Sequence, residues 1–462
     1  MSSAQQDSGA ESRASIGRVA GLARLPEWLE WVAWGAAAIS LAVYVGFATN
    51  GFWGDDWELW AQALRGGSLT DPISSHMRPL VRAFFFLFHW TSSSIAFHLL
   101  SILLHLFTAG AAYALTRQLY GAQIGRLSAL LFVAAFPANE AVYWTSAVGV
   151  VVCLLFVLLA LRCWALERPL RAALCLVPAA LSYELWLVAL PLFFLMRRGR
   201  LRDWLLPGAT FGLFVLAYLR AFGWGGASAY GGLKWTALPE RLATYAYHLA
   251  DPSAAAVGTV LSLALLVALV AAALWVPTLR FPVVFYLSSA ALLSVAESEG
   301  MVSRFCYFPQ LALVLFLLLL KDTGKVGKWI GISLASYVLA VSPLWNFVDG
   351  RDYRNLARFY SQVAESTKPA LATAAPGDSF GFLNRTTPAA LLAVVQSSRG
   401  RPKAQFVRGN ALHGAVYLQD AATIELHARG LALEETEACA GRRLEFGRGE
   451  PVARYCFKVI DY

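Results

Sequence analysis

The sequence predicts an all-α, polytopic membrane protein that carries a small C-terminal α/β domain. Three observations support this fold class. Of the 462 residues, 58% are hydrophobic and only 15% are charged, whereas a typical soluble domain has about 25% charged residues. Apolar runs close to the length of a bilayer span recur along the chain. After residue 346 the composition becomes that of a soluble protein.

About eleven membrane spans are expected when each needs about 20 residues. The 171–196 run has "SYE" at its middle and is expected to form a tight pair of short helices, since a single helix would bury Glu184. The apolar runs cover residues 29–48, 95–117, from 126 onward, 147–166, 171–196, 204–222, 253–275, 281–296, 305–320 and 328–346.

Charges in the loops predict how these spans are oriented. Arginines such as Arg117, Arg126 and Arg168 collect on one side, which marks the cytoplasm, and acidic residues collect on the other. Residues 1–28 are therefore expected to be a cytoplasmic tail in a plasma-membrane protein. The net charge of +9 lies mostly in the cytoplasmic breaks between spans, so membrane lipids rather than nucleic acid are the expected partners.

Two outer loops, 49–93 and 223–252, interrupt the predicted transmembrane domain of residues 29–346. In the first, "AFFFLFHW" is expected to form a short helix in the membrane interface. In the second, "LPERLATYAYHLADP" is expected to form another interfacial helix.

Residues 347–462 are predicted to form the extracytoplasmic α/β domain. The segment "RDYRNLARFYSQVAES" has helical periodicity and is expected to continue the last span outward. A disulfide between Cys439 and Cys456 is compatible with this compartment, and the sequence leaves its presence open. "TTPAALLAVVQSS" is expected to be a helix, and the expected strands are "GDSFGFLN", "AQFVRG", "AVYLQ", "TIELHA", "RRLEFG" and "ARYCFKVI".

The first candidate site is the adjacent pair Asp55 and Asp56 in "GFWGDDWELW". One reading is structural, because an Asp just before "WELWAQAL" is a good helix N-cap. That reading explains one of the two carboxylates. The other reading is functional, with a carboxylate at the outer mouth of the bundle acting as general base or metal ligand.

Further charged residues are predicted at the same face. Charges at a membrane boundary indicate a functional site by default. His76 and Arg78 in "SHMRPL" are suited to bind a phosphate, because Arg binds phosphate oxygens with two donors. The alternative role for a basic side chain at this position is to anchor the protein to lipid headgroups. The other members of this set are Glu140 in "FPANEAVYW", Glu184 in "SYELW", and Arg304 and Tyr307 in "ESEGMVSRFCYF".

These motifs, in this order over residues 29–346, resemble the GT-C glycosyltransferases. The acidic pair, "RPL", "PxxEAVxW", "SYELWLVALP" and "SRFCYFP" are similar to those of the protein O-mannosyltransferase-like branch and its uncharacterised bacterial relatives, which use polyprenyl-phosphate sugars. Two positions depart from the pattern. Tyr183 stands where relatives often have Lys, and Phe305 stands where a tyrosine often follows the arginine.

The resemblance implies transfer of a sugar from a polyprenyl-phosphate donor to a hydroxyl of a glycan, lipid or protein acceptor, on the extracytoplasmic side and with inversion. Asp55 would be the general base, helped by Asp56. His76, Arg78, Arg304 and Tyr307 would belong to the donor site with Glu140 and Glu184. Asp56 and Glu140 would hold a divalent cation (Mg, Mn or Ca) if one is used. Trp53, Trp57 and Trp144 would stack on sugars or anchor the loop.

The alternative is a multi-pass lipid or glycan transporter, or a flippase, without transferase activity. Such proteins need a polar path near the bilayer midplane. Ionisable residues are nearly absent from the centres of the predicted spans and gather at one face. The sequence therefore favours chemistry at the membrane surface.

Overall fold

The structure is a computed structural model of the chain. It describes residues 24–69, 78–88, 93–136, 139–196, 201–222, 238–247, 259–296, 306–384, 414–436, 441–446 and 453–461. Within these residues the protein is mostly helical, with one small sheet.

Four helical segments are long and apolar enough to cross a membrane: Glu27–Gly46, Ser94–Tyr120, Thr145–Ala165 and Lys325–Ala372. Shorter apolar helices of 10–17 residues accompany them. The α-helices are α1 (Glu27–Gly46), α2 (Asp55–Leu64), α3 (Pro79–Phe88), α4 (Ser94–Tyr120), α5 (Ala122–Ala134), α6 (Glu140–Tyr143), α7 (Val148–Ala165), α8 (Pro169–Ser182), α9 (Ala189–Met196), α10 (Leu201–Phe222), α11 (Leu238–Tyr247), α12 (Thr259–Trp275), α13 (Arg280–Ala296), α14 (Tyr307–Leu319), α15 (Lys325–Ala372) and α16 (Gly414–His427).

The predicted break in the 171–196 run is confirmed. Helix α8 ends at Ser182, Tyr183 is extended, and a 3-10 turn (Glu184–Val188) leads into α9. The two predicted loop helices also form, as α3 and α11. The break places Glu184 at the tip of the helical pair instead of inside one long helix.

Helix α15 continues without interruption through the predicted domain boundary at residue 346. Its 48 residues span about 72 Å at 1.5 Å per residue. In its first half, Ala335 and Leu339 are buried in the core of the bundle. In its second half, Leu356 and Leu371 are buried in the same core as Phe380 of the sheet. The predicted continuation of the last span as a helix is confirmed, and this helix belongs to both cores.

The C-terminal sheet has the strand order β2-β4-β1-β3. Strand β1 pairs with β3 in parallel, and the other two pairs are antiparallel. The strands are β1 (Ser379–Asn384), β2 (Leu431–Glu435), β3 (Arg442–Phe446) and β4 (Ala453–Asp461). Three of the predicted strand segments thus overlap strands β1, β3 and β4, respectively: "GDSFGFLN", "RRLEFG" and "ARYCFKVI".

Two strand predictions are wrong, because "AVYLQ" and "TIELHA" together form helix α16. Leu418, Ala422 and Leu426 are buried at intervals of four, which is the spacing of a helix face packed on a sheet. Strand β2 was not predicted, since "LALEE" holds no β-branched or aromatic residue. The predicted helix "TTPAALLAVVQSS" and strand "AQFVRG" lie outside the described residues.

The cysteines divide into two groups. Cys456 is disulfide-bonded, and Cys153, Cys163, Cys175 and Cys306 are free. The predicted partner, Cys439, lies outside the described residues.

A close helix contact at Gly149 sets the position of α3. A Cβ at Gly149 would lie 2.6 Å from a methyl carbon of Val81 and 2.7 Å from the carbonyl oxygen of Ser182. We expect Gly149→Ala to destabilise the protein by about 1–3 kcal/mol through overpacking. Gly110→Ala is the matched control, because a Cβ there meets nothing within 4 Å. Thermal unfolding of the two purified variants checks this, and equal melting temperatures would contradict it.

Candidate functional site

The acidic pair forms the first turn of α2. The N-cap position is Gly54, whose φ of 59° and ψ of −135° favour glycine, and no side chain caps the helix there. The predicted capping role is therefore wrong in its simple form, since both aspartates lie inside the helix. Carboxylates in a first turn are stabilised by the helix dipole.

Asp56 is fully buried, and its carboxylate accepts hydrogen bonds from two backbone N–H groups. Its Oδ1 accepts from the N–H of Ser146 at 2.7 Å, and its Oδ2 accepts from the N–H of Trp53 at 3.3 Å. Burial raises the pKa of Asp56 well above its usual range, although the two backbone donors oppose this shift. Asp56 thus fastens α2 to the 3-10 turn (Thr145–Ala147) that precedes α7.

Asp55 is half-buried and lies beside other carboxylates. Burial is the main cause that raises the pKa of Glu58, and the charge of Asp55 raises it further. Asp55 also raises the pKa of Asp56 and of Asp420. We call Asp55, Asp56, Glu58 and Asp420 the acidic cluster. Within it, Asp55 is the member of the predicted pair that solvent reaches.

Asp420 was missed by the sequence analysis. It lies on α16 of the C-terminal domain, is 2% exposed, and is brought to the cluster because α16 packs on α2. Burial raises its pKa well above the usual range, and the charge of Glu58 adds to the effect. Nothing in the sequence pairs residues 365 positions apart, so no signal could have found it.

The raised pKa of Asp420 has a consequence for stability. The folded chain binds the proton of the Asp420 carboxyl group more tightly than the unfolded chain does. The free energy of unfolding therefore falls as the pH rises above about 4. We expect Asp420→Asn to remove this part of the decline and to raise the melting temperature at neutral pH. Glu434→Gln is the control, because Glu434 is an exposed carboxylate on β2. If the melting temperatures of the wild type and Asp420→Asn change with pH in parallel, the expectation is refuted.

Arg78 and Glu184 form a second group. The guanidinium of Arg78 donates to the Glu184 carboxylate at 3.2 Å, and the two side chains are 18% and 30% exposed. The guanidinium carbon also lies 4.1 Å from the ring centre of Tyr183, a cation–π arrangement. Tyr183 therefore supports the arginine. An arginine held on two sides, yet reachable by solvent, is suited to meet an anion.

Models of known protein families give no match to this chain, and neither do the curated proteins. The likeness to the GT-C glycosyltransferases therefore stays a prediction that rests on motifs.

The remaining predicted site residues are Glu140, Tyr307, His76 and Arg304. Glu140 begins α6 and is 3% exposed. Tyr307 is fully buried, and its hydroxyl and the Nδ1 of His105 on α4 are joined by a hydrogen bond of 2.7 Å. Tyr307 was predicted at the same face as the charged residues, whereas its side chain is fully buried. His76 and Arg304 lie outside the described residues.

The structure separates the roles of the predicted aromatic residues. The Trp53 ring stacks on Trp144 and on Tyr353, at centroid distances of 4.7 and 5.2 Å, and Trp53 and Trp144 are buried. Trp53 therefore anchors the loop to α15 through Tyr353, and Trp144 packs on Trp53. Trp57 is only half-buried, so it alone of the three is available to a ligand.

A divalent cation finds no ready set of ligands in the described part of the chain. No group of three His, Cys, Asp or Glu residues there has an arrangement that would hold a metal ion. Asp56, the predicted ligand, already uses both carboxylate oxygens for backbone N–H groups. We therefore derive no step through a metal.

A buried polar network was also missed. The amide nitrogen of Asn139 donates to Asp349 at 2.6 Å and to Asn346 at 3.2 Å. The hydroxyl of Tyr143 donates to the carbonyl oxygen of Asn346 at 2.8 Å. These bonds join the α6 segment, which carries Glu140, to α15. The motif "FPANEAVYW" thus has a structural role.

Proposed function

We propose that the protein is a multi-pass membrane glycosyltransferase of the GT-C type, with Asp55 as its general base. It would transfer a sugar from a polyprenyl-phosphate donor to an acceptor hydroxyl, with inversion. The observation that carries the proposal is the unequal state of the acidic pair. Asp56 is enclosed and bonded to backbone, whereas Asp55 is partly open to solvent at the start of the same helix.

The reaction needs two groups that the chain supplies. Asp55 would take the proton of the acceptor hydroxyl while that oxygen attacks the anomeric carbon. The bond from this carbon to the phosphate oxygen breaks, and the electron pair leaves with the lipid phosphate. Arg78 would stabilise the growing negative charge, with the phosphate competing with Glu184 for the guanidinium.

The proposal includes about eleven spans in the plasma membrane, a cytoplasmic N-terminus and an extracytoplasmic C-terminal domain. Its support is that α16 of this domain packs on α2, so the domain lies at the same end of the bundle as Asp55. The disulfide at Cys456 also fits an oxidising compartment.

The test is incubation of the purified protein with polyprenyl-phosphate mannose, glucose, galactose and arabinose. We expect one donor to release free polyprenyl phosphate, measured by mass spectrometry, in an amount equal to the sugar transferred to an added glycan, lipid or peptide. If none of these donors releases lipid phosphate in the presence of any acceptor class, the proposal fails.

One feature favours the alternative of a transporter or flippase. The buried face of α4 carries a polar stripe formed by His98, Ser101, His105 and Thr108. The Ser101 hydroxyl has no hydrogen-bond partner among the described residues. Translocation of a fluorescent polyprenyl-phosphate sugar in proteoliposomes, without release of lipid phosphate, would support this second function.

A further inference from the structure

A cavity of about 470 Å³ lies where α2, α15 and α16 meet. Pockets that hold small ligands have volumes of about 300–1,000 Å³ and combine apolar walls with a few polar groups. The transfer reaction proposed above does not use this cavity. Its lining has two parts, one aromatic and one charged.

The cavity lies on the side of α2 away from Asp55. Trp57, Trp60 and Leu64, which line it, recur at intervals of three and four and so share one face of the helix. Asp55, Glu58 and Gln62 follow the same spacing on a roughly opposite face, at 100° per residue. Asp55 and Glu58 therefore face away from the cavity, and no member of the acidic cluster lines it.

The aromatic wall is preorganised. The Phe52 and Trp60 rings lie 5.0 Å apart between centroids, and the Trp57 and Trp60 rings lie 6.0 Å apart. The indole N–H of Trp57 donates to the carbonyl oxygen of Phe52 at 3.0 Å, which fixes that ring. A ligand that stacks here meets rings whose orientation is already set, so little ordering entropy is lost.

The opposite wall is charged. The Lys368 ammonium forms an ion pair with Glu365 at 2.7 Å, and it also interacts with Glu425 of α16. His427 completes this side. With two carboxylates and one ammonium, the wall has an excess of negative charge when His427 is neutral.

We propose that this cavity binds a neutral saccharide. A pyranose ring has an apolar C–H face, which suits the tryptophans, and hydroxyls at its edge, which suit the carboxylates and the ammonium. A phosphate headgroup would face the negative excess. A purely apolar chain would displace water from the charged groups and offer them no hydrogen bond in return. The inference does not depend on the proposed transferase activity.

The test uses the full-length protein in lipid nanodiscs, because detergents with sugar headgroups would compete. Hexasaccharides of mannose, glucose and galactose are the probes, and the readouts are tryptophan fluorescence and saturation-transfer NMR. We expect at least one probe to bind saturably. Glu425→Gln and Trp57→Leu should each weaken its binding about tenfold, which corresponds to the loss of one good contact.

Three variants make the result specific. Glu434→Gln and Trp275→Leu should bind the probe like the wild type. Glu434 is an exposed carboxylate, and Trp275 is a tryptophan that is 83% exposed. Asp55→Asn should also bind it, even if transfer is lost, so the two proposals can fail separately. If Trp57→Leu does not fold, Glu425→Gln at a half-buried position decides.

Four outcomes would overturn the inference: no saturable binding of any probe, unchanged binding in Glu425→Gln, loss of binding in Asp55→Asn, or saturable binding of tetramethylammonium in place of the sugars. The last outcome would indicate a cation cage instead.

Discussion

Asp55→Asn is expected to abolish sugar transfer while the protein still folds. Asparagine has nearly the same shape but takes no proton, and general base catalysis contributes about 10²–10⁴-fold in rate. Asp55 is only half-buried at the start of α2. The substitution therefore changes no fully buried group, and the variant is expected to fold. The measurement is release of polyprenyl phosphate, made together with thermal unfolding.

Asp56→Asn is the matched control, because it makes the same chemical change one residue further along. Asp56 serves two backbone N–H groups, so its variant should lower the melting temperature and retain part of the activity. Full activity in Asp55→Asn would refute the assignment of the base. Loss of activity in Asp56→Asn at an unchanged melting temperature would move the base to Asp56.

Arg78→Ala should have the second-largest effect. Removal of one electrostatic stabiliser of a developing anion costs about 10²–10³-fold in rate, and the arginine is positioned by Glu184 and Tyr183. The loss is expected in kcat, because the leaving phosphate gains charge in the transition state. The measurement is a full kinetic analysis with the donor that the panel identifies.

Arg78→Lys and Glu184→Gln are the companions to this prediction. Lysine keeps the positive charge but loses the two-donor fork and the flat contact with the Tyr183 ring, so an intermediate rate is expected. Glu184→Gln removes the carboxylate that competes with the donor phosphate for the Arg78 guanidinium. The KM for the donor should therefore fall or stay constant. An unchanged kcat in Arg78→Ala would exclude Arg78 from the stabilisation of the leaving group.

The sequence was a good guide to the helices, because apolar run length and helix breakers are local properties. Helix α1 lies within two residues of its predicted bounds, and the break at Tyr183 and the continuation of α15 beyond residue 346 also follow from these properties. Helix α16 was misread, since "AVYLQ" and "TIELHA" alternate like strands over a few residues. The longer spacing of Leu418, Ala422 and Leu426 was the signal that indicated a helix.

The candidate site was less predictable, because it depends on contacts between distant segments. Arg78 and Glu184 were each singled out, but their ion pair joins residues 106 positions apart. Asp420 became a member of the acidic cluster only through the packing of α16 on α2. Tyr307 shows the same limit, since its place in the chain gave no information on its depth beside His105.

The length of α15 has a mechanical consequence. Pro343 lies within the helix, and proline removes one backbone hydrogen bond there, so bending is easiest at that point. From Pro343 to Ala372 the helix is about 44 Å long at 1.5 Å per residue. A tilt of about 10° at Pro343 would carry the far end about 8 Å sideways. Because α16 and the sheet share a core with that end of α15, a small change of direction in the bundle would carry the C-terminal domain with it.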